Sequence, residues 1–301
     1  VKTLKNILKR EAIVAKIIDG REIARKSNDK VRAEIEQLRL NKETPPKLVS
    51  LLAGIKSADA DIYVEMQRKV SEYTGIEFCS EKLSEDASRR DITAKIKQLN
   101  ADKTVTSIII QKPLPKNIRH DDAVSEILPE KDAEGIHPFN LGRILRSDAD
   151  IVPSTPGAVM KILRFSGVNL YGKEVVIIGH SAIVGKPLSL MMLNEMATTT
   201  VCHIGTAEKG DILKHTKLAD VLVVAVGKPE MVKSAWLKAG AVVIDVGINK
   251  VGSSIVGDVD FSECAEKASM ITPVPGGVGP VTVSILMRNV LRAYRKQNVK
   301  N

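Results

Sequence analysis

The sequence predicts an α/β protein of two domains, each built around a parallel sheet. Short β-branched runs recur along both halves, and helix-length segments separate them, as in a βαβ series. Near the middle, Asp148-Ala-Asp150 followed by Pro153-Ser-Thr-Pro156 interrupts the pattern and marks a boundary. Just beyond it, residues 172–187 read as a strand, a tight glycine turn and a helix N-terminus.

Taken in order, residues 1–13 form a basic extension, with Val1, Leu4, Ile7 and Leu8 at roughly helical spacing, expected as a short surface helix. They lack the long apolar stretch and small-residue cleavage site of a secretory signal. Asp19-Gly-Arg-Glu-Ile23 opens a helix to about Leu40, which Pro45-Pro46 breaks. Leu48–Ala53, Ile76–Ser80 and Val105–Ile110 are strand-like, joined by helices near 61–74 and 90–100. In the second half Val175–Ile178 is a continuous apolar run, as in a strand buried on both faces. Thr198–His203, Asp220–Val226 and Ala241–Val246 follow as further strands. Thr282–Lys296 reads as a final helix that packs back on the first domain. The predicted domains are therefore 14–150 with 283–301, and 151–282.

At 301 residues the chain can hold two ordinary cores. No run approaches 18 consecutive apolar residues, which excludes a membrane-spanning helix as the organising element. Cys79, Cys202 and Cys264 are far apart and odd in number, with no C-x-x-C pair for a metal or redox site; a reducing cytoplasm is expected. The net charge of +9 lies in the termini. Nine of the 45 basic residues fall in two acid-free terminal stretches, which leaves 36 basic against 36 acidic in the body. With only 3% aromatic residues, the composition argues against nucleic-acid binding, which needs a basic face and, for single strands, stacking rings.

The most informative stretch is Gly172–Pro187. The run Val175–Ile178 ends at Gly179, and Gly185 follows where a helix begins, the arrangement that receives a dinucleotide pyrophosphate. The middle glycine of G-x-G-x-x-G is Ser181, so the turn alone is equally compatible with a structural βα connection. The strand series that follows favours a Rossmann-like nucleotide domain. Gly227-Lys-Pro229 and Gly247-Ile248-Asn249 then lie beyond carboxyl ends of strands, where open α/β sheets bind ligands.

In the first half, Tyr63 and Gln67 share one face of a helix, one turn apart. Gln111 ends the third strand, before Pro113-Leu-Pro115, and Glu134 lies in the carboxylate-rich loop Pro129–Gly135. From spacing alone these are candidates only: a half-buried tyrosine, a solvated glutamine and a charged loop are the plainer readings.

Four segments in order change that. Gln111-Lys-Pro-Leu-Pro115, Lys131-Asp-Ala-Glu-Gly-Ile-His-Pro-Phe-Asn140, the Gly179–Pro187 turn and Pro273-Val-Pro-Gly-Gly-Val-Gly-Pro-Val-Thr282 resemble the methylenetetrahydrofolate dehydrogenase/cyclohydrolase family, over about Ile17 to Arg295. The resemblance implies two reactions on one folate: hydride transfer from 5,10-methylenetetrahydrofolate to an oxidised nicotinamide, then hydrolysis of the methenyl cation to 10-formyltetrahydrofolate. It implies folate held between the domains and nicotinamide delivered by the second, in a homodimer without metal or membrane attachment. Carried over by residue, the folate side comprises Tyr63, Gln111 and Glu134 with the loop Pro275, Gly276 and Gly277. The cofactor side comprises Gly179, His180, Ser181, Gly185 and Ile248.

Two positions depart from the family pattern. The lysine four residues after the tyrosine is Gln67, and the aspartate is Glu134. Hydride transfer mainly needs positioning, but water addition needs groups that move protons, which an amide cannot do. The expectation is a dehydrogenase with weak or absent cyclohydrolase. Arg68 and Lys69 lie about 100° and 200° round the helix from Gln67 and are not natural substitutes. Glutamate extends its charge by about 1.5 Å, which raises a tetrahydromethanopterin-type carrier as an alternative substrate. Relatives that use NADP often carry arginine at His180 and serine at Ile204; their absence favours NAD, with NADP still open. A fully bifunctional enzyme, an inert folate- or nucleotide-binding paralogue, and a dehydrogenase of an unrelated small acid are the competing classes.

Overall fold

The computed structural model describes residues 15–54 and 58–298. The expected N-terminal surface helix lies outside the described residues. The chain divides into two compact units: Arg21–Ala158 with residues from Pro280 onward, and Val159–Gly279 with residues 15–20. The strands are β1 (Lys16–Ile17), β2 (Lys47–Leu52), β3 (Glu77–Lys82), β4 (Ser107–Ile110), β5 (Glu174–Ile178), β6 (Thr198–Cys202), β7 (Val221–Val224), β8 (Val242–Asp245), β9 (Asn249–Val251), β10 (Ser254–Val256) and β11 (Met270–Ile271).

The first unit is a three-stranded parallel sheet of order β3-β2-β4. Strands β2 and β4 are buried on both faces because helices cover both, while β3 is a more polar, half-exposed edge. Val49, Leu51, Ile108 and Ile110 join one core cluster with Ile92 and Ile96 of the Arg89–Ala101 helix. Leu48 and Ile109, one residue out of phase, face the other cluster with Val31 and Ile35 of the Gly20–Leu40 helix. Leu286, Met287 and Val290 of the final helix, Val278–Asn298, complete that second cluster, so the C-terminal helix packs on the first-half core as expected. Asn289 fixes it by donating to the carbonyls of Ala133 and Val152, each at 2.9 Å. A capping box of Ser88 and Asp91 starts the Arg89–Ala101 helix.

The second unit is a six-stranded, wholly parallel sheet of order β1-β11-β8-β7-β5-β6. Val176, Ile178, Leu222, Val224 and Val243 build its core on one face. Chain order reverses between β5 and β7, the switch point at which such sheets open a ligand crevice.

Three features differ from the sequence expectation. Residues 15–20, read above as part of the first domain, belong to the second unit because β1 pairs with β11: Lys16 donates to Ser269 and Ile18 to Ile271, at 2.9 and 2.8 Å. A two-residue strand carries no readable periodicity, so only its partner defines it. By its contacts the chain divides inside the helix Ser154–Phe165, a few residues beyond the expected boundary at 148–153. Strands β9 and β10 form an antiparallel hairpin that the βαβ reading does not contain. Among the described residues, no helix is long and apolar enough to cross a membrane, and no group of three His, Cys, Asp or Glu side chains could hold a metal ion.

Candidate active site

In the first unit the helix Ala58–Thr74 and the carboxyl edge of the sheet bring three of the predicted polar residues together. Gln111 follows β4 directly and is buried; its Nε2 donates to Ser50 Oγ of the central strand at 3.0 Å and to Gln67 Oε1 at 3.1 Å. Gln67 is fully buried, not the solvated glutamine of the bland reading, and Ser50 is fully buried beside it. Gln67 Nε2 has no partner among the protein atoms. Tyr63, one turn earlier and half-buried, lies within reach of Gln67 and Glu134: burial raises its phenol pKa first, and the Glu134 charge raises it further.

Glu134 keeps a partly open face. Its carboxyl is pushed up to about 8, first by desolvation and then by Asp132, with Lys112 acting in the opposite sense. The loop that carries it is built by its neighbours. Buried Asp132 accepts from the backbone N–H of Gly135 at 3.0 Å and His137 at 2.8 Å, and from Asn140 Nδ2 at 2.9 Å. Lys131 is turned inward and donates to the carbonyls of Leu99, Asn100 and Asp102. Much of the motif Lys131–Asn140 is thus scaffold for one carboxylate. Arg68 and Lys69 pair with Glu65 on the exposed side of the helix, and Arg68 also pairs with Glu72.

In the second unit Gly179 ends β5 at φ 128°, and a Cβ there would collide with the Ala225 carbonyl beyond β7. A Cβ on Gly185 would collide in turn with the Gly179 carbonyl, so turn and helix approach as closely as backbones can. Ser181 Oγ accepts from Val184 N–H at 3.1 Å and shapes the turn before the helix Gly185–Asn194. A missing middle glycine is thereby replaced by a side chain that braces the loop. This strand–turn–helix at the switch point fits a dinucleotide pyrophosphate. His180 is exposed, its ring centroid 5.3 Å from that of His203 at the end of β6. Ile248 is exposed in the loop after β8. Pro275, Gly276 and Gly277 form the loop after β11, held by Gly20 N–H donating to the Gly276 carbonyl at 2.9 Å. They therefore belong to the second unit, while Tyr63, Gln67, Gln111 and Glu134 belong to the first.

Sequence reasoning missed Ser50, Asp132 and Asn289. Ser50 is the most legible of them, a hydroxyl set among Leu48, Val49, Leu51 and Leu52 of the central strand.

A parallel sheet with a glycine turn at its switch point, alongside an amide–phenol–carboxyl cluster on a second α/β unit, defines an enzyme of the dinucleotide-binding oxidoreductase class. Comparison with known proteins makes this specific. Residues 18–134 match the tetrahydrofolate dehydrogenase/cyclohydrolase catalytic domain, and residues 153–298 match the NAD(P)-binding domain of the same family. A bifunctional protein FolD of Geotalea uraniireducens is 46% identical over 285 residues, 94% of this chain and 100% of that protein. The Trypanosoma brucei methylenetetrahydrofolate dehydrogenase-cyclohydrolase, solved with NADP and an inhibitor, superposes at TM-score 0.90 with 38% identity, over 95% of this chain and 99% of that one. The Campylobacter jejuni enzyme gives TM-score 0.89 and 37% identity over 94% and 99%. The chain belongs to the tetrahydrofolate dehydrogenase/cyclohydrolase family, and is an enzyme of the NAD(P)-dependent methylenetetrahydrofolate dehydrogenase class.

Proposed function

We propose that this protein oxidises 5,10-methylenetetrahydrofolate to the 5,10-methenyl cation with an oxidised nicotinamide, and that its cyclohydrolase activity is weak or absent. The observation that carries the second half is Gln67, a buried amide hydrogen-bonded to Gln111 where proton transfer would need a titratable group.

Hydride transfer asks little of the side chains beyond placement. The bridge carbon loses a hydride, both electrons leaving with it, and the positive charge remains shared between the two folate nitrogens; no proton moves. Gln111, whose two amide N–H groups are taken by Ser50 and Gln67, is left with its Oε1 as an oriented acceptor for the folate, and Tyr63 lies beside Gln67. Glu134, in its ionised form, accepts hydrogen bonds from the pterin amino and ring nitrogens and offsets the developing cation. The bound nicotinamide supplies the hydride acceptor. Gly179, Ser181 and Gly185 would hold the dinucleotide's pyrophosphate and Ile248 would line the cofactor site, with Pro275, Gly276 and Gly277 assigned to the folate. Because His180 and Ile204 provide no fixed cation for a 2′-phosphate, NAD is the proposed cofactor. The three free cysteines suit a reducing cytoplasm, and a homodimer is the proposed assembly.

An absorbance assay with methylenetetrahydrofolate and each nicotinamide should show reduction well above background, greater with NAD. No reduction with either, in folded protein, overturns the dehydrogenase reading. Methenyltetrahydrofolate should decay little faster with the protein than in buffer; robust hydrolysis overturns the monofunctional reading.

A further inference from the structure

We propose that Asp258 is a positioning residue for the nicotinamide half of the cofactor, fastening the loop after β7 to the loop after β8. The inference rests on the cofactor reading above, in which the crevice over β5, β7 and β8 receives the dinucleotide.

Asp258 is fully buried, at the entry to the segment that follows the β9–β10 hairpin. Its carboxylate takes four hydrogen bonds. Oδ2 accepts from the N–H groups of Val226 at 2.7 Å and Gly227 at 3.0 Å; Oδ1 accepts from Lys228 N–H at 2.8 Å and Asn249 Nδ2 at 2.8 Å. Three consecutive backbone N–H groups converge on one carboxylate, a nest of the kind that elsewhere binds an anion from outside. Here the chain supplies the anion itself, and the loop 226–228 is held in one tight conformation as a result. The fourth donor, Asn249, comes from the far side of the Gly247-Ile248-Asn249 loop, so the carboxylate joins both loops.

A second carboxylate anchors the first. Asp245, at the end of β8, accepts through Oδ1 from Gly247 N–H at 2.9 Å and from Asp258 N–H at 3.1 Å, and through Oδ2 from Val259 N–H at 2.9 Å. The packing leaves no slack: a Cβ on Gly247 would collide with the Asp258 carboxyl, and one on Gly257 with the Asp245 carboxyl. All of this sits at the carboxyl ends of β7 and β8, the half of a dinucleotide-binding sheet opposite the pyrophosphate turn at β5 and therefore the half that faces nicotinamide. An isosteric amide at position 258 could not serve, because its NH2 would face donors that have no lone pair to offer.

The test separates the two halves of the cofactor. Wild type, Asp258→Asn and Asn249→Ala would be titrated with ADP-ribose, which lacks the nicotinamide, and with reduced nicotinamide dinucleotide, whose fluorescence rises when the ring is held. ADP-ribose affinity should stay within about twofold in both variants. The fluorescence gain should largely vanish in Asp258→Asn, and kcat should fall about 10- to 100-fold, the scale expected for a misplacement near 1 Å. Asn249→Ala, which cuts only the tie between the loops, should shift both readouts in the same direction by less, with an unchanged melting temperature. The KM for folate should not move. Full fluorescence gain and kcat in Asp258→Asn, or a parallel loss of ADP-ribose binding in both variants, overturns the proposal. If the wild type binds neither probe, the cofactor reading itself falls, and the inference with it.

Discussion

On the function proposed above, Gln67 stands as an amide where hydrolysis would need a proton carrier, and the hydrolytic half-reaction is its test. Gln67→Lys should raise methenyltetrahydrofolate hydrolysis, by up to the roughly 100- to 10,000-fold that positioned acid–base groups contribute. The measurement is the decay of methenyl absorbance against buffer. Glu134 gives a pH prediction. Its carboxyl is raised to about 8 in the folded protein, so between the unfolded carboxylate range and pH 8 the native state binds more protons than the unfolded state. Stability should therefore fall as pH rises through that window. Glu134→Gln should flatten the fall in melting temperature between pH 6 and 8. Asp245, raised to about 6 by burial, contributes the same sign only at lower pH. Folate binding should move oppositely, tightening toward pH 8 in wild type as the carboxylate forms, and losing that slope in Glu134→Gln.

At the level of elements, side chains of the C-terminal helix tie down the loop 129–140: Asn289 bonds the Ala133 carbonyl and Gln297 the Glu130 carbonyl, each at 2.9 Å. Asn289→Leu keeps the volume but strands the carbonyls of Ala133 and Val152 in the core. The expected cost is about 2–4 kcal/mol, from two buried acceptors left unmatched, read as a lower denaturation midpoint with the slope unchanged. The glycine turn behaves differently. Gly179 sits at φ 128° against the Ala225 carbonyl, so even Gly179→Ala should destabilise the second unit as well as weaken nucleotide binding. Loss of binding in such a variant is therefore no clean measure of the pyrophosphate contact, and the ADP-ribose titration above is the better probe.

For the molecule as a whole, the sheet of the second unit is finished by residues far away in sequence. Deleting residues before Gly20 removes β1, leaves the Ser269 and Ile271 carbonyls without their partners, and uncovers the core that Ala15 and Ile18 close. A lower melting temperature and concentration-dependent association through the bared β11 edge are expected by calorimetry and light scattering. An unchanged melting temperature would mean that β1 adds nothing to the fold.

The sequence by itself determined the strands that are buried on both faces, because a run such as Val175–Ile178 or Ser107–Ile110 has few other uses. It determined the parallel order too, since helix-length connections allow little else, and it located the glycine turn because close backbone approach leaves a mark in residue type. The tertiary structure alone decided what depends on partners from elsewhere in the chain. Strand β1 is two residues long and exists only against β11. Gln67 looks like any helix-surface glutamine until Gln111, 44 residues away, turns it inward. Asp258 reads as one more loop carboxylate until three N–H groups some 30 residues earlier close on it. Local periodicity records which face of an element is buried; it holds no record of which distant group will satisfy a polar atom there. That pairing is settled only when the chain has folded and every buried donor and acceptor must find a partner.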